Sequence, residues 1–237
     1  GPDTVAMFIA EPVQGSGGVI VPQDDYFPRI REICDKYDVL LVADEVITGF
    51  GRTGKMFGLE HWGVQPDLIQ FAKAITSGYF PLGGVGISDE IAAVLNDSNA
   101  PWMHCCTYSS HPVGCAVALA MLNIIEAEDF VAEAKTKGKY LLEKLKDALI
   151  DHPNVGDIRG LGLMCGVELV KDKTTKLPFD ASDDVGGKVN QETIKRGMFS
   201  RVRGDVYCIA PPITTLESTL DDIASILGDS VNAVLDY

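Results

Sequence analysis

Three short apolar runs, at residues 5–10, 39–43 and 68–72, stand out in the first part of the chain. Runs of this length, followed by polar and turn-forming residues, are typical of buried strands in a parallel sheet. Between the first two runs, residues 26–37 place apolar side chains at helical spacing. A helix between two buried strands predicts a β-α-β unit and therefore a mostly parallel sheet.

The pattern continues with a short strand at 85–87, a short helix at 89–95 and a longer helix at 113–126. The longer helix is apolar on most of its sides, which predicts that it is buried.

After residue 127 the pattern changes to amphipathic helices that alternate with short strands. Helices are predicted at 130–150, 185–196 and 215–235, a strand pair or one bent strand at 155–170, and antiparallel strands at 198–203 and 205–210. We therefore predict an α/β protein with two domains. Residues 1–127 would form a domain around the mostly parallel sheet, and residues 128–237 a small α+β domain.

Lys73 is the unexpected residue in this pattern, because it follows an apolar strand and precedes a glycine- and proline-rich loop. A buried ammonium group without a partner costs several kcal/mol. Either the side chain extends to solvent, or the amine is kept neutral and used as a nucleophile. The residue alone does not decide between these two interpretations.

The composition excludes several classes of partner. The net charge of -14 argues against binding to nucleic acid or to an anionic membrane surface. No apolar stretch reaches the ~18 residues that a membrane-spanning helix needs. The first residues do not resemble a secretory signal, so we expect a cytoplasmic protein.

The six cysteines and four histidines do not suggest a metal site. No two cysteines form a CxxC pair, and the histidines show no spacing typical of metal ligands. Most cysteines lie in apolar segments, which favours buried, reduced thiols.

Polar residues follow each of the three predicted parallel strands. They are Glu11 and Gln14, then Asp44 with Val46 after it, and finally Lys73. The carboxyl ends of such strands line a common crevice. A carboxylate and a lysine that meet there match the needs of pyridoxal phosphate, which takes a lysine on its aldehyde and a carboxylate on its ring nitrogen.

With these residues, the chain resembles the class III pyridoxal-phosphate aminotransferases of fold type I, in particular the ω-amino acid:pyruvate group. The strongest match is the segment 41–54, which ends in Gly-Phe-Gly-Arg-Thr-Gly and is followed downstream by Lys73. The segments 11–15 and 107–112 agree with the family in order and composition. The resemblance implies that residues 1–127 are part of the cofactor-binding domain.

The resemblance also implies roles for single residues. Lys73 would form the Schiff base with the cofactor and act as general base and acid. Asp44 would pair with the ring nitrogen, Val46 would pack on one face of the ring, and Thr107 would donate to the cofactor phosphate of a neighbouring subunit. A homodimer with shared active sites follows from this last role.

Three departures place the chain apart from the ornithine and GABA enzymes of the family. Ser16 stands where those enzymes have a glutamate, Ile47 stands where they have a glutamine, and no arginine directly precedes Pro211. Arg201 matches the substrate-binding arginine of the ω-transaminases, and its fork suits a carboxylate. Arg203 is a rival for the same role.

Full-length members of the family begin far upstream of Gly1, so the chain resembles their C-terminal half. It could be a fragment, a nicked product or one of two chains, and we expect weak or no activity from it alone.

The predicted function is amino-group transfer from an amine or ω-amino acid to a keto acid such as pyruvate. An aminomutase on the same scaffold, and a non-catalytic module that keeps the fold, are the alternatives.

Overall fold

The computed structural model describes residues 1–97 and 103–236, which group into two compact units. The first unit comprises Gly1–Pro12, Pro22–Gly51 and Lys55–Phe130. The second comprises Val13–Val21, Arg52–Gly54 and the described residues from Val131 onward. Two short segments from the first part of the chain thus belong to the second unit, which the sequence pattern did not suggest. The predicted boundary at residues 127 and 128 stays a prediction.

The first unit contains a four-stranded sheet with the order β1-β2-β3-β4. Its elements are β1 (Met7–Ala10), α1 (Tyr26–Tyr37), β2 (Leu40–Asp44), β3 (Leu68–Phe71), β4 (Gly84–Ile87), α2 (Asp89–Asp97) and α3 (Pro112–Ala127). The strands β1, β2 and β3 run parallel, whereas β4 is antiparallel to β3. The prediction of a mostly parallel sheet is confirmed.

Two apolar clusters hold the first unit together. Phe27 of α1 packs with Ala43 of β2 and with Leu59. In the other cluster, Phe50 and Ile75 pack with Ala118 and Ile125 of α3. The loop that follows β2 and the segment that follows β3 therefore both contribute to the core.

Two predictions of burial were wrong. Met7 and Ile9 of β1 are each about half exposed, at 50% and 51%. On α3, Val113 and Leu119 are exposed as well. Both elements carry apolar side chains on faces against which no described residue packs closely enough to bury them.

The second unit contains an antiparallel sheet with helices packed on it. Its elements are α4 (Phe130–Leu149), β5 (Val155–Gly160), β6 (Cys165–Leu169), α5 (Val185–Lys195), β7 (Arg201–Arg203), β8 (Val206–Ile209) and α6 (Glu217–Leu235), and the strand order is β5-β6-β8-β7. One apolar core joins Leu141 and Leu145 of α4, Val167 of β6, and Leu220 and Leu227 of α6. Residues 155–170 form a strand pair, so the alternative of one bent strand was wrong.

Two arginines fasten the short early segments to this unit. The Arg159 side chain donates to the carbonyl oxygens of Gly18 (2.7 Å) and Val19 (2.9 Å). The Arg52 side chain donates to the carbonyl oxygens of Leu163 (3.3 Å) and Pro211 (2.5 Å), and burial lowers its pKa. Buried carbonyl groups need such donors, which explains why these segments pack away from their sequence neighbours.

All six cysteines are free, but only Cys34, Cys165 and Cys208 are buried. The expectation that most of them are buried was therefore wrong, because Cys105, Cys106 and Cys115 are exposed. Burial raises the pKa of Cys165 to about 12. No helix in the described ranges is both long and apolar enough to cross a membrane.

Two helical glycines of the second unit give a matched test of this packing. A Cβ atom on Gly138 of α4 would clash with the backbone of Gly162, whereas one on Gly228 of α6 would meet Ala148 at an ordinary 3.6 Å. Alanine is the better helix former by about 1 kcal/mol. We expect Gly228→Ala to raise the free energy of unfolding by up to about 1 kcal/mol, and Gly138→Ala to lower it by about 1–3 kcal/mol through overpacking. Denaturant titration measures both, and shifts of the same sign would contradict the packing.

Candidate active site

Asp44 is the last residue of β2 and is half-buried at the point where the strand turns into a loop. Its Oδ1 accepts a hydrogen bond from the backbone N–H of Val46 at 3.1 Å. Its Oδ2 accepts none from the described residues. The carboxylate is thus fixed on one side and available on the other.

Pairing of β2 with β3 brings Asp44 close to the segment that carries Lys73. Asp44 lies opposite Gln70 in the parallel register. The backbone N–H of Glu45 donates to the Gln70 carbonyl oxygen at 2.9 Å, which extends the pairing beyond the strand end. β3 ends at Phe71, and Lys73 follows after a single residue.

Lys73 begins a short 3-10 helix, Lys73–Ile75, and its side chain is exposed rather than buried. Its amine makes no hydrogen bond or ion pair with the described residues. The backbone of Lys73 is in the left-handed region, with φ at 49°. A lysine in this left-handed region costs on the order of 1–2 kcal/mol, and such strain is often stored at functional sites.

Val46 and Thr107 lie in the same unit as Asp44 and Lys73. Val46 is half-buried directly after the Asp44 turn. Thr107 is exposed in a turn at 107–110, which is closed by hydrogen bonds between Cys106 and Ser109. This turn leads into His111, whose Nδ1 caps α3 by accepting from the Val113 N–H at 3.3 Å.

Arg201 and Arg203 lie in the second unit, on the edge strand β7. Since they are two residues apart on a strand, their side chains share a face. Both are exposed, and neither forms an ion pair with the described residues. The structure therefore does not choose between them. Gln14 also belongs to the second unit, where its backbone pairs with Ile20.

Glu45 was not among the predicted site residues, although it follows Asp44 directly. It is fully buried. Its Oε2 accepts from the Thr48 hydroxyl at 2.5 Å and from the Gly58 N–H at 2.8 Å, and its Oε1 accepts from the Leu59 N–H at 2.9 Å. The sequence could have indicated Glu45, because a carboxylate that directly follows a buried strand must either reach solvent or accept hydrogen bonds from buried donors.

Burial raises the pKa of Glu45 above its usual value, and the like charge of Glu60 adds to this effect. The hydrogen bonds from Thr48, Leu59 and Gly58 oppose the rise. Burial therefore disfavours the charged form of Glu45, whereas its hydrogen-bond donors favour that form.

The chain matches a known family over most of its length and known structures over all of it. The aminotransferase class-III family matches residues 1–231. A putrescine–pyruvate aminotransferase of Pseudomonas aeruginosa is 46% identical over 226 residues, which are 95% of this chain and 49% of that protein.

Solved structures agree with this match. An (S)-enantioselective omega-transaminase from Thermomicrobium roseum is 49% identical, with a TM-score of 0.95 over 100% of this chain and 52% of its own. An amine transaminase from an uncultivated Pseudomonas species, described in its PLP-bound form, is 43% identical, with a TM-score of 0.91 over 100% of this chain and 53% of its own. The chain therefore spans about half the length of these relatives.

The raised pKa of Glu45 has a consequence for stability. A carboxyl group whose pKa is higher in the folded than in the unfolded state contributes stability that is present below about pH 4.3 and is lost as the pH rises through the folded pKa. Since a glutamine cannot ionise, the free energy of unfolding of the wild type, minus that of Glu45→Gln, should fall as the pH rises from about 4.3 through the raised folded pKa of Glu45. Denaturant titrations across this range measure the difference. Glu32→Gln, at an exposed acid of α1, is the control. A difference between the wild type and Glu45→Gln that stays constant or grows with pH would contradict the assignment.

Proposed function

Because the chain belongs to the aminotransferase class-III family, we propose that the complete protein moves an amino group from an amine or ω-amino acid to a keto acid such as pyruvate, with pyridoxal phosphate as cofactor. The chain has the α/β architecture of the fold type I enzymes in that family. The observation that carries the proposal is the meeting of Asp44 with the Lys73 segment at the ends of two paired parallel strands.

The residues at this place fit the cofactor in two respects. The Oδ2 of Asp44 has no partner among the described residues, so it can accept from a protonated ring nitrogen, while its Oδ1 stays bound to the Val46 N–H. The amine of Lys73 is likewise unpaired within the described ranges and can attack an aldehyde. When bound, pyridoxal phosphate withdraws electrons from the substrate carbon that loses a proton.

Lys73 would be the general base and acid of the reaction. Its amine would hold the cofactor and would move a proton to and from the substrate carbon as general base and acid. The exposure of Lys73 supports this role, because its amine lies outside the core that includes Ile75.

Three further residues complete the proposed site. Val46 would pack on one face of the ring. Thr107 would donate its hydroxyl to the cofactor phosphate of a neighbouring subunit, and its exposure supports a partner from outside this chain. Arg201 would bind the substrate carboxylate, with Arg203 as its rival.

The remainder of the protein would cover the apolar edges of one face of the first sheet, since Val42 in the middle of that face is already buried. Ile9, Val42, Leu68 and Ile87 lie in one row across the four strands, and Ile9 and Ile87 at its ends are 51% and 43% exposed. Apolar sheet faces of this kind are normally covered by a second layer. Together with the length of the relatives, this supports a missing half, in the same or a second chain, and a homodimer with shared sites.

A reducing compartment is part of the proposal, and a cytoplasmic one is the simplest. The six free cysteines, three of them exposed, support it, because such thiols persist where disulfides are kept reduced.

Transaminase chemistry is favoured over the two alternatives. The relatives reported above are named as transaminases, which favours amino-group transfer over an aminomutase reaction. Lys73 and Asp44, the lysine and the carboxylate that the cofactor needs, are both present, which argues against a non-catalytic module.

Replacing Lys73 tests the reaction. The complete protein, supplied with pyridoxal phosphate, pyruvate and a panel of primary amines, should form alanine. Lys73→Ala should lower the turnover number by at least about a thousandfold, because the general base and acid is removed. Lys55→Ala, at another exposed lysine, is the matched control and should leave turnover unchanged. A wild type that binds the cofactor but forms no alanine from any donor would contradict the transaminase and favour the aminomutase.

The two arginines of β7 can be separated by their effect on substrates. If Arg201 binds the carboxylate, Arg201→Gln should raise the KM for pyruvate by about tenfold or more, since a hydrogen bond to a charged group contributes about 1.5–3 kcal/mol. The KM for an amine without a carboxylate should stay the same. Arg203→Gln is the matched variant, and if it alone raises the KM for pyruvate, the assignment of Arg201 is wrong.

A further inference from the structure

We propose that Glu45 is a positioning residue for the cofactor, because its buried carboxylate fixes the turn from which Asp44 projects. This inference rests on the proposed function, since it concerns how strongly Asp44 can hold the ring nitrogen. It assigns a purpose to a fully buried acid of the first unit, which the transfer reaction itself does not use.

The carboxylate of Glu45 joins two turns that are separate in sequence. Thr48, in the turn that follows β2, donates to it at 2.5 Å. Gly58 and Leu59, at the start of the helical turn Gly58–Trp62, donate their backbone N–H groups at 2.8 and 2.9 Å. All three groups are donors, so they specify an acceptor with two oxygens, which a carboxylate supplies and an amide does not.

The packing around this carboxylate leaves it little freedom. A Cβ atom on Gly58 would lie 2.9 Å from the Thr48 Cβ and 3.2 Å from the Glu45 Oε2. A Cβ atom on Gly49 would lie 2.8 Å from the Glu45 carbonyl oxygen. Both close approaches require glycine, so Gly58 lies against the Glu45 carboxylate and Gly49 against the Glu45 backbone.

The same residue is fixed through its backbone toward β3. Its N–H donates to the Gln70 carbonyl oxygen at 2.9 Å, while the next N–H, that of Val46, holds the Oδ1 of Asp44. Any rotation of the peptide units around Glu45 would therefore move the Val46 N–H and release Asp44. The three donors to the side chain oppose such a rotation.

Burying the charged form of Glu45 costs free energy of folding, because no cation among the described residues lies beside it. The charged neighbour that acts on it is Glu60, which has the same sign. A buried charge without a counter-ion does not favour folding by itself, but a fully bonded one can define a single geometry. Positioning of Asp44 explains why a charged group is placed here.

A double-mutant cycle on cofactor affinity tests the inference without measuring turnover. The complete protein is stripped of cofactor, and the dissociation constant of pyridoxal phosphate is measured for the wild type, Glu45→Gln, Asp44→Asn and the double variant. We expect Glu45→Gln to weaken binding about tenfold, which corresponds to about 1.4 kcal/mol. In the background of Asp44→Asn the same change should have almost no effect, because it acts through the Asp44 carboxylate. Glu32→Gln, at an exposed acid of α1, is the control and should bind like the wild type.

Each outcome of the cycle decides the matter. Equal weakening in both backgrounds, or no weakening in either, overturns the positioning role while the proposed function stands. A wild type that binds no cofactor, or an Asp44→Asn variant that binds like the wild type, contradicts the proposed site and with it this inference. Should Glu45→Gln fail to fold, Thr48→Val takes its place in the cycle, since it removes one donor at nearly constant volume, with Thr48→Ser as its control.

Discussion

The parallel pairing of β2 with β3 is the constraint on which the rest of the site depends. Parallel strands end at the same edge of a sheet, so side chains that follow them are brought together without any contact of their own. Here the hydrogen bond from the Glu45 N–H to the Gln70 carbonyl oxygen carries the pairing past the end of β2. Asp44 and Lys73 are far apart in sequence, and this pairing places Asp44 opposite Gln70, three residues before Lys73.

The site combines several features that cost stability. Glu45 is buried without a cation among the described residues, and Lys73 holds a left-handed backbone conformation that suits glycine better. Positions 49 and 58 are glycines, and a Cβ atom at either one would lie too close to Glu45 or its neighbours. Such unfavourable features persist where several independent contacts hold the same local geometry. Here those contacts are the hydrogen bonds of the Glu45 side chain, the hydrogen bond of its N–H group, and the apolar core around Phe50 and Ile75.

Much of the fold could be predicted from sequence, because helices and paired strands follow periodic patterns. The helix α1 begins and ends where its apolar spacing predicts, at Tyr26 and Tyr37. Exposure could not be predicted for β1 and α3, because an apolar pattern does not say which layer covers it. The attachment of Val13–Val21 and Arg52–Gly54 to the second unit was missed for a different reason. It depends on Arg159 and Arg52 reaching carbonyl groups that are distant in sequence.

The same division applies to the site. The residue types of Asp44 and Lys73 indicated their chemistry, but the sequence did not decide whether Lys73 reaches solvent, and its side chain is exposed in the structure. Glu45 was missed because its role depends on Gly58 and Leu59, whose approach no local pattern records.

Borohydride reduction of the complete protein tests the central claim most directly. Reduction fixes pyridoxal phosphate onto the lysine that carries it, and peptide mass spectrometry then identifies that residue. We expect the label on Lys73 in stoichiometric amount, and none on Lys55 or on the lysines of the second unit. A label on another lysine, or no label on a protein that binds the cofactor, would contradict the assignment of Lys73 and the site built around it.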